Sequence, residues 1–496
     1  VAKKLSKTAT AALLVAFGAV VPYLGSGLER LRIITAGDLV RIGGAFRGEP
    51  RAPLVRWNET LPGASSSVPA PRPTAVVVPA KPARPIRRLP LEVPPVVPIE
   101  DPSNELGRFF ERLAHVEEGE AGALARVTHL GDSPLTGDLI SGEAREMLQA
   151  ELGDGGPGFV LAARPWGWYG HQGIGIEAKG WTASSPLFAP GNGGHHGLGL
   201  VSFTSASDGA RSEIREAKGK FTRADVTFTA APGGGTLLVS LDGGAEQEVS
   251  TAAPERRTGH FVVGTPGGAA RITLRSKGDG EVTVYGVALE TEGPGLVYDA
   301  VGANGASIHA LNLLDEKGWV DALALRRSDL VILNYGTNES TMEGIGGPRY
   351  EREYAEAIGR VRRALPEASI LVMAPMDRGV RLPDGTIGTM PSIRRLVAVQ
   401  KRIAKANGCA YFDTFAAMGG DGTMGRWYEN EPRLVTGDFT HTTKPGSDRV
   451  ARLFVGALRA ARAAFAAREP KQAGPGPVAK EPSPVSRTLE GEPPPS

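Results

Sequence analysis

Three short stretches of the 496-residue sequence carry side chains able to do acyl-transfer chemistry. The first is Gly131-Asp132-Ser133, followed by Pro134-Leu135-Thr136-Gly137-Asp138. A serine at a strand-to-helix turn can expose its hydroxyl, and the backbone N–H groups that follow point at a developing anion. The same serine would also serve as an ordinary helix cap. The second is Gly336-Thr337-Asn338-Glu339, just beyond the apolar run Leu330-Val331-Ile332-Leu333. An asparagine amide at a strand end can donate to an oxygen that turns negative in a tetrahedral intermediate; a plain turn asparagine is the alternative. The third is Gly437-Asp438-Phe439-Thr440-His441. An aspartate and a histidine three residues apart can fold onto one another in one loop. The carboxylate then holds one imidazole nitrogen and leaves the other free to take a serine proton.

Each stretch needs an element to aim it. Helical spacing of Leu106, Phe109, Phe110, Leu113 and Val116 precedes a predicted strand over 124–130, and helical patterning returns over 138–152. Strand candidates at 296–301, 330–335, 370–374 and 410–413 alternate with helix candidates at 306–325, 350–365, 391–406 and 446–467. Such alternation predicts an α/β fold with a doubly wound parallel sheet, which binds ligands outside the carboxyl ends of its strands. Between residues 153 and 290 the texture changes. Glycine clusters such as Gly233-Gly234-Gly235 separate short alternating runs such as Val226-Thr227-Phe228 and Val282-Thr283-Val284-Tyr285. That pattern predicts an antiparallel β-sandwich, inserted into an α/β domain made of 104–152 and 291–468.

The rest of the chain reads as address and spacer. Ala2-Lys3-Lys4-Leu5-Ser6-Lys7 and a mostly apolar run over 9–24 have the form of a secretory signal or a signal anchor within 1–27. The lack of a clear small-x-small cleavage site favours an uncleaved anchor, with everything after it outside the cytoplasm: periplasmic or at the cell surface. Residues 50–102 hold 14 of the 39 prolines, so 28–103 is expected to be a basic, extended linker. The tail 469–496 has the composition of a disordered segment. Lys+Arg 56 against Asp+Glu 54 leaves a net charge of +2, which disfavours a whole-protein electrostatic grip on nucleic acid. The single cysteine, Cys409, excludes an intrachain disulfide framework and multi-cysteine metal sites.

Taken together and in this order, the three stretches resemble those of the SGNH (GDSL-type) hydrolases. Gly131-Asp132-Ser133 is similar to the family's first block, Gly336-Thr337-Asn338-Glu339 to its third (with Glu in place of the usual Asp) and Asp438-Phe439-Thr440-His441 to its fifth. Val301-Gly302-Ala303-Asn304-Gly305-Ala306 falls where the second block belongs. The resemblance implies Ser133 as nucleophile, His441 as general base and then acid, and Asp438 as its orienter. The oxyanion would be held by the Ser133 N–H, the Gly305 N–H (Gly302 as fallback) and the Asn338 amide. Glu339, beyond the oxyanion donor, is expected to matter little to the chemistry. No metal or cofactor is implied. The inserted sandwich narrows the resemblance to bacterial peptidoglycan O-acetylesterases and their acetyltransferase relatives, whose insert resembles a carbohydrate-binding module.

The expectation is therefore an exported serine esterase removing acetyl or short acyl groups from a carbohydrate, plausibly a wall glycan, through an acyl-enzyme. A carbohydrate O-acyltransferase with the same triad and a non-catalytic glycan-binding protein remain open alternatives. The expected partner is an acylated carbohydrate, with no nucleic acid and no membrane contact beyond the N-terminal segment. Other chemical-looking residues are given bland readings. Trp166, Trp168 and Tyr169 are expected in the sandwich core rather than on a sugar, His195-His196 in a polar loop, His129 as a core histidine and Cys409 as inert core.

Overall fold

Leu330-Val331-Ile332-Leu333 is apolar at every position, and a strand of that kind must be covered on both faces. The structure is a computed structural model that describes residues 96–188, 194–217 and 219–468. The expected export segment, most of the linker and the tail lie outside the described residues. Among the described residues no helix is long and apolar enough to cross a membrane.

Leu330–Asn334 is the middle strand of a five-stranded parallel sheet in the order Gly295–Gly302, Leu124–Gly131, Leu330–Asn334, Ser369–Met373, Ala410–Phe412. Alternation divides its side chains. Leu330 and Ile332 enter a core with Phe109, Leu148 and Phe454, from the helices Gly107–Glu117, Leu139–Leu152 and Lys444–Arg468. Val331 and Leu333 enter another with Tyr354 and Leu396, from the helices Pro348–Ala364 and Pro391–Ala406. The doubly wound sheet is as expected. By sequence the strand order is 2-1-3-4-5, so the order reverses between the first strand and the third, Leu130 lying beside Leu333. Outside that switch point a doubly wound sheet leaves its binding crevice.

The antiparallel insert is a sandwich of two sheets. One runs Arg257–Ala269, Phe221–Ala230, Val282–Glu290, Ser202–Ser205, Thr182–Ser184, with Gly158–Leu161 also paired to Val282–Glu290. The other runs Ile174–Lys179, Arg211–Glu216, Arg271–Ser276, Thr236–Leu241, Gln247–Ser250. The chain leaves and rejoins the parallel sheet through two necks that bond to each other. Gly155 N–H donates to Leu296 O (3.1 Å), Leu296 N–H to Gly153 O (2.9 Å) and Thr291 N–H to Gly155 O (2.9 Å). An insertion whose ends meet in this way leaves the host sheet's register alone.

Charge is buried at this junction. The Asp299 carboxylate accepts from Phe159 N–H (2.8 Å), Thr128 Oγ1 (3.0 Å) and Arg326 Nε (2.7 Å), and Arg326 also reaches Glu290 (2.9 Å). Burial alone would raise the Glu290 carboxyl, but the guanidiniums of Arg326 and Arg126 outweigh it and bring it down to about 2.

Two expectations need correction. The helix expected over 306–325 is two helices, Ile308–Leu313 and Glu316–Ala324. Leu314 is extended between them, and Asp315 caps the second by accepting from Gly318 N–H (2.6 Å); its short polar side chain is a stop-and-start signal. The linker expected to end at 103 contains Glu100, which exchanges both backbone hydrogen bonds with Tyr411 on the far edge strand (2.8 and 2.9 Å). Ile99 beside it is buried.

Arg326 is the only cation that touches both Asp299 and Glu290 among the described ion pairs. Arg326→Met would leave two carboxylates under the junction short of their counter-charge, and is expected to destabilise the fold by about 3–5 kcal/mol. A lowered urea midpoint measures this; an unchanged midpoint would mean that the network is not holding the junction together.

Candidate active site

Ser133 opens a single helical turn, Ser133–Thr136, immediately past the strand Leu124–Gly131. The approach is tight: a Cβ on Gly131 would lie 2.6 Å from Leu135 Cδ1 and 2.7 Å from Asn334 O, so only glycine fits before this turn. His441 comes from the last loop, where Thr436 N–H donates to His441 O (2.8 Å) and Val435 bridges to Thr442. Phe439 at the loop tip takes a left-handed conformation (φ 57°), uncommon for a non-glycine residue. It is held there by edge-on packing on Tyr428 (4.9 Å) and by Gly379 N–H donating to its carbonyl (2.8 Å).

The structure brings Ser133, His441 and Asp438 together. Ser133 Oγ is 2.8 Å from His441 Nε2, and His441 Nδ1 is 2.6 Å from Asp438 Oδ2. An ionised carboxylate can only accept, so Nδ1 carries the hydrogen and Nε2 is left to accept from the serine hydroxyl. Asp438 Oδ1 also accepts from Thr436 Oγ1 (2.7 Å), Thr440 N–H (2.9 Å) and His441 N–H (3.0 Å). Burial opposes the charge, but the His441 ring N–H and these other donors hold the Asp438 carboxyl well below the usual carboxylate range.

Asn338 and the 303–306 turn also meet. Asn338 Nδ2 donates to Ala306 O (2.7 Å), which leaves its second amide hydrogen uncommitted to that bond. Ala306 N–H donates to Ala303 O (3.1 Å) around Gly305, whose φ of +77° at the third position of the turn suits glycine. Gly302, the fallback for Gly305, has a packing role instead: a Cβ there would lie 2.5 Å from Thr136 N.

Two buried acids tie these stretches to one another, and sequence reasoning missed both roles. Asp132 accepts from Thr337 N–H (3.0 Å), joining the serine stretch to the asparagine stretch. Glu339, at 1% exposure, accepts from Ile308 N–H (2.9 Å) and joins the asparagine stretch to the helix after the 303–306 turn. Burial pushes Asp132 up to about 7, against the hydrogen bonds from Thr337 and the field of His441. It pushes Glu339 up to about 8, against the Ile308 N–H and with help from Asp132. The available signal was an acid in each stretch, adjacent to a residue already singled out.

A cavity of about 530 Å³ opens at this point, lined by Ser133, Pro134, Leu139, Trp168, Asn304 and His441 among others. Trp168 corrects an expectation. Tyr169 is buried and Trp166 packs against the core, but Trp168 is 59% exposed and stands in the cavity wall. His195 lies against Asp315 (3.4 Å) and His196 is buried near Ser202 Oγ (3.2 Å); neither lines the cavity. His129 is a core histidine on Tyr298 OH (2.8 Å), and burial brings it down to about 3. Burial pushes the Cys409 thiol up to about 12.

Residues 267–449 match the model of the GDSL-like lipase/acylhydrolase family. The matched span includes Gly305, Asn338, Asp438 and His441 and stops short of Ser133, which lies on the other side of the insert. Among solved structures, a peptidoglycan O-acetylesterase is 23% identical with a TM-score of 0.63, over 74% of this chain and 99% of that one. A family two carbohydrate esterase from Clostridium thermocellum, in complex with cellohexaose, is 14% identical (TM-score 0.24), over 59% of this chain and 100% of that one. An acetyl xylan esterase is 20% identical (TM-score 0.25), over 33% of this chain and 80% of that one. No curated protein matches the sequence significantly.

The Glu339 carboxyl rises from an ordinary 4.5 to about 8 on folding. The folded state therefore holds the extra proton between those values. Its contribution to stability is complete below pH 4.5 and is lost as pH climbs through 8. Glu339→Gln, permanently neutral, is expected to flatten the fall of melting temperature between pH 5 and pH 8, by an effect on the order of a few kcal/mol. Parallel melting-temperature curves for the two proteins would contradict the assignment. Asp132, raised in the same way to about 7, contributes to the slope that remains.

Proposed function

We infer that this chain, whose GDSL-like lipase/acylhydrolase domain makes it a hydrolase of ester bonds, is an exported serine esterase that removes acetyl or other short acyl groups from a carbohydrate, with cell-wall glycan as the substrate class. The observation that carries the reading is the continuous chain Ser133 Oγ, His441 Nε2, His441 Nδ1, Asp438 Oδ2, with links of 2.8 and 2.6 Å across 308 residues of sequence.

The chemistry follows from that chain. Ser133 Oγ attacks the acyl carbon as His441 Nε2 takes its proton, and the ionised Asp438 stabilises the imidazolium through Nδ1–H. The carbonyl oxygen becomes negative and is received by the Ser133 N–H, the Gly305 N–H and the free hydrogen of the Asn338 amide. Collapse of the intermediate breaks the bond to the sugar oxygen, which leaves with the proton from His441. Water then enters, gives its proton to His441 and attacks the acyl-enzyme. A carboxylic acid departs, and Ser133 recovers its hydrogen.

The carbohydrate and the location rest on other observations. The likeness in fold to a peptidoglycan O-acetylesterase extends over 74% of this chain, more than the α/β segments alone supply, and so takes in the sandwich. The lysines at 3, 4 and 7 ahead of the apolar run over 9–24 support export with retention at the inner membrane.

Ser133→Ala is expected to abolish both turnover of acetate esters and labelling by a fluorophosphonate probe, with near-ultraviolet circular dichroism unchanged. Asn338→Ala is expected to keep probe labelling and lower kcat by about 10²–10³. Wild-type protein that neither labels nor turns over any member of a broad ester panel, yet binds glycan, would make this a binding protein instead.

A further inference from the structure

We propose that the inserted sandwich completes the active site: Trp168 is the platform on which the alcohol half of the ester, a pyranose ring, rests while its acyl group lies at Ser133. The inference depends on the esterase reading above and adds the part of the molecule that recognises the sugar.

Trp168 stands in an unusual position for a tryptophan. Trp319 and Trp427 are fully buried, and Trp166 and Trp181 pack against the core. Trp168 leaves more than half of its surface in solvent, at a cost of apolar area that a purely structural side chain would recover by turning inward. It shares a cavity with Ser133 and His441 whose other walls include Pro134 and Leu139. At about 530 Å³ the cavity has the size that encloses a whole small ligand, far more than a two-carbon acyl group fills.

The indole is also held in place, with both neighbours anchored. Tyr169 is buried in the sandwich, where its hydroxyl accepts from Leu161 N–H (3.0 Å). Gly170 N–H donates to Thr136 O (3.1 Å), in the turn that Ser133 opens. A Cβ on Gly137 would lie 3.8 Å from Trp168 O, so the two backbones run against each other beside the serine.

A buried clamp then fixes this loop to the α/β domain. Asp138, at 1% exposure and in a left-handed conformation (φ 53°), accepts from Gln172 N–H (2.8 Å) and Ser141 Oγ (2.6 Å). Its backbone carbonyl accepts from Gln172 Nε2 (2.7 Å). Arg145 supplies the counter-charge, 2.6 and 3.3 Å from the two carboxylate oxygens, and also donates to Gln172 O (3.3 Å). A buried ion pair and a strained residue are costly to assemble and are found where a position has to be exact. Here the position they fix is that of the loop carrying Trp168. The exposed face of an indole is matched by the C–H face of a pyranose, and flat aromatic anchors in part-apolar pockets dominate recognition energies.

The test compares two esters: an O-acetylated aminosugar oligosaccharide and ethyl acetate, whose alcohol has no ring to stack. Trp168→Ala is expected to lower the ratio of kcat/KM for the oligosaccharide to that for ethyl acetate about tenfold, through KM, and Trp168→Phe to recover most of it. Gln172→Ala, which loosens the clamp and keeps the indole, is expected to move the same ratio in the same direction. A ratio equal to that of wild type in Trp168→Ala, or an equal loss on both esters, would overturn the proposal. Failure of the esterase reading shows differently, as wild-type protein inactive on both esters, and takes this proposal with it.

Discussion

One contact sets the tolerance for the rest of the molecule: the 2.8 Å separation of Ser133 Oγ and His441 Nε2, between residues 308 positions apart. Proton transfer falls off steeply outside hydrogen-bond reach, so both ends have to be fixed to within a few tenths of an ångström. The serine end is fixed by sheet register. Its strand is paired in parallel over eight residues with Gly295–Gly302 and over five with Leu330–Asn334, so Gly131 cannot slide without shifting two neighbours. The histidine end has no sheet behind it. Its position comes from Asp438, which spends both carboxylate oxygens on its own loop.

The insert makes that register harder to reach and then helps to secure it. The strand leading to Ser133 is made before the sandwich, and both of its partner strands come after it. Nothing in the parallel sheet can pair correctly until the chain has returned. The two necks meet this difficulty directly, because Gly153 and Gly155 bond to Leu296 at the start of the returning strand. Asp299, in the same strand, then accepts from Phe159 of the sandwich, Thr128 of the serine strand and Arg326 from beyond the helices. One side chain thus senses three parts of the fold, and the charges around it are satisfied only when all three are in place.

How much of this was legible in the sequence varies with the range of the interaction. The five strands and most of the helices could be read because apolar periodicity is local. So could Ser133, Asn338, Asp438 and His441, since each falls at a strand end or in one short loop. The break at Asp315 carries a local signal, since an aspartate followed by a helical pattern is a cap, but the continuous apolar spacing around it masks the stop. Trp168 was illegible for a different reason. Its neighbours Trp166 and Tyr169 do enter or touch the core, and the loop that carries Trp168 is tied to the α/β domain by a bond between Gly170 and Thr136 and by the Asp138 clamp. Neither has a signature in local spacing. Asp132 and Glu339 lie between these cases, visible as acids beside residues of interest but with partners set only by the fold.

The carboxyl groups of the site sort themselves by environment, and the sorting suits the proposed chemistry. Asp438 accepts four hydrogen bonds and stays ionised, which places a negative charge behind the ring that must become positive. Asp132 and Glu339 are buried with fewer donors and are pushed up to about 7 and 8. Both shifts run toward the uncharged form, and burial is the cause in each. This matters because both flank Asn338, the side chain proposed to receive the oxyanion. A full carboxylate there would oppose the developing negative charge through a low-dielectric interior, where such repulsion is poorly screened. A neutral carboxyl still accepts the Thr337 and Ile308 N–H bonds that tie the asparagine stretch to the serine stretch and to the helix after the 303–306 turn. A longer Glu in place of Asp at 339 does not weaken this logic. It reaches the backbone of the neighbouring helix at the Ile308 N–H, and burial favours its uncharged form.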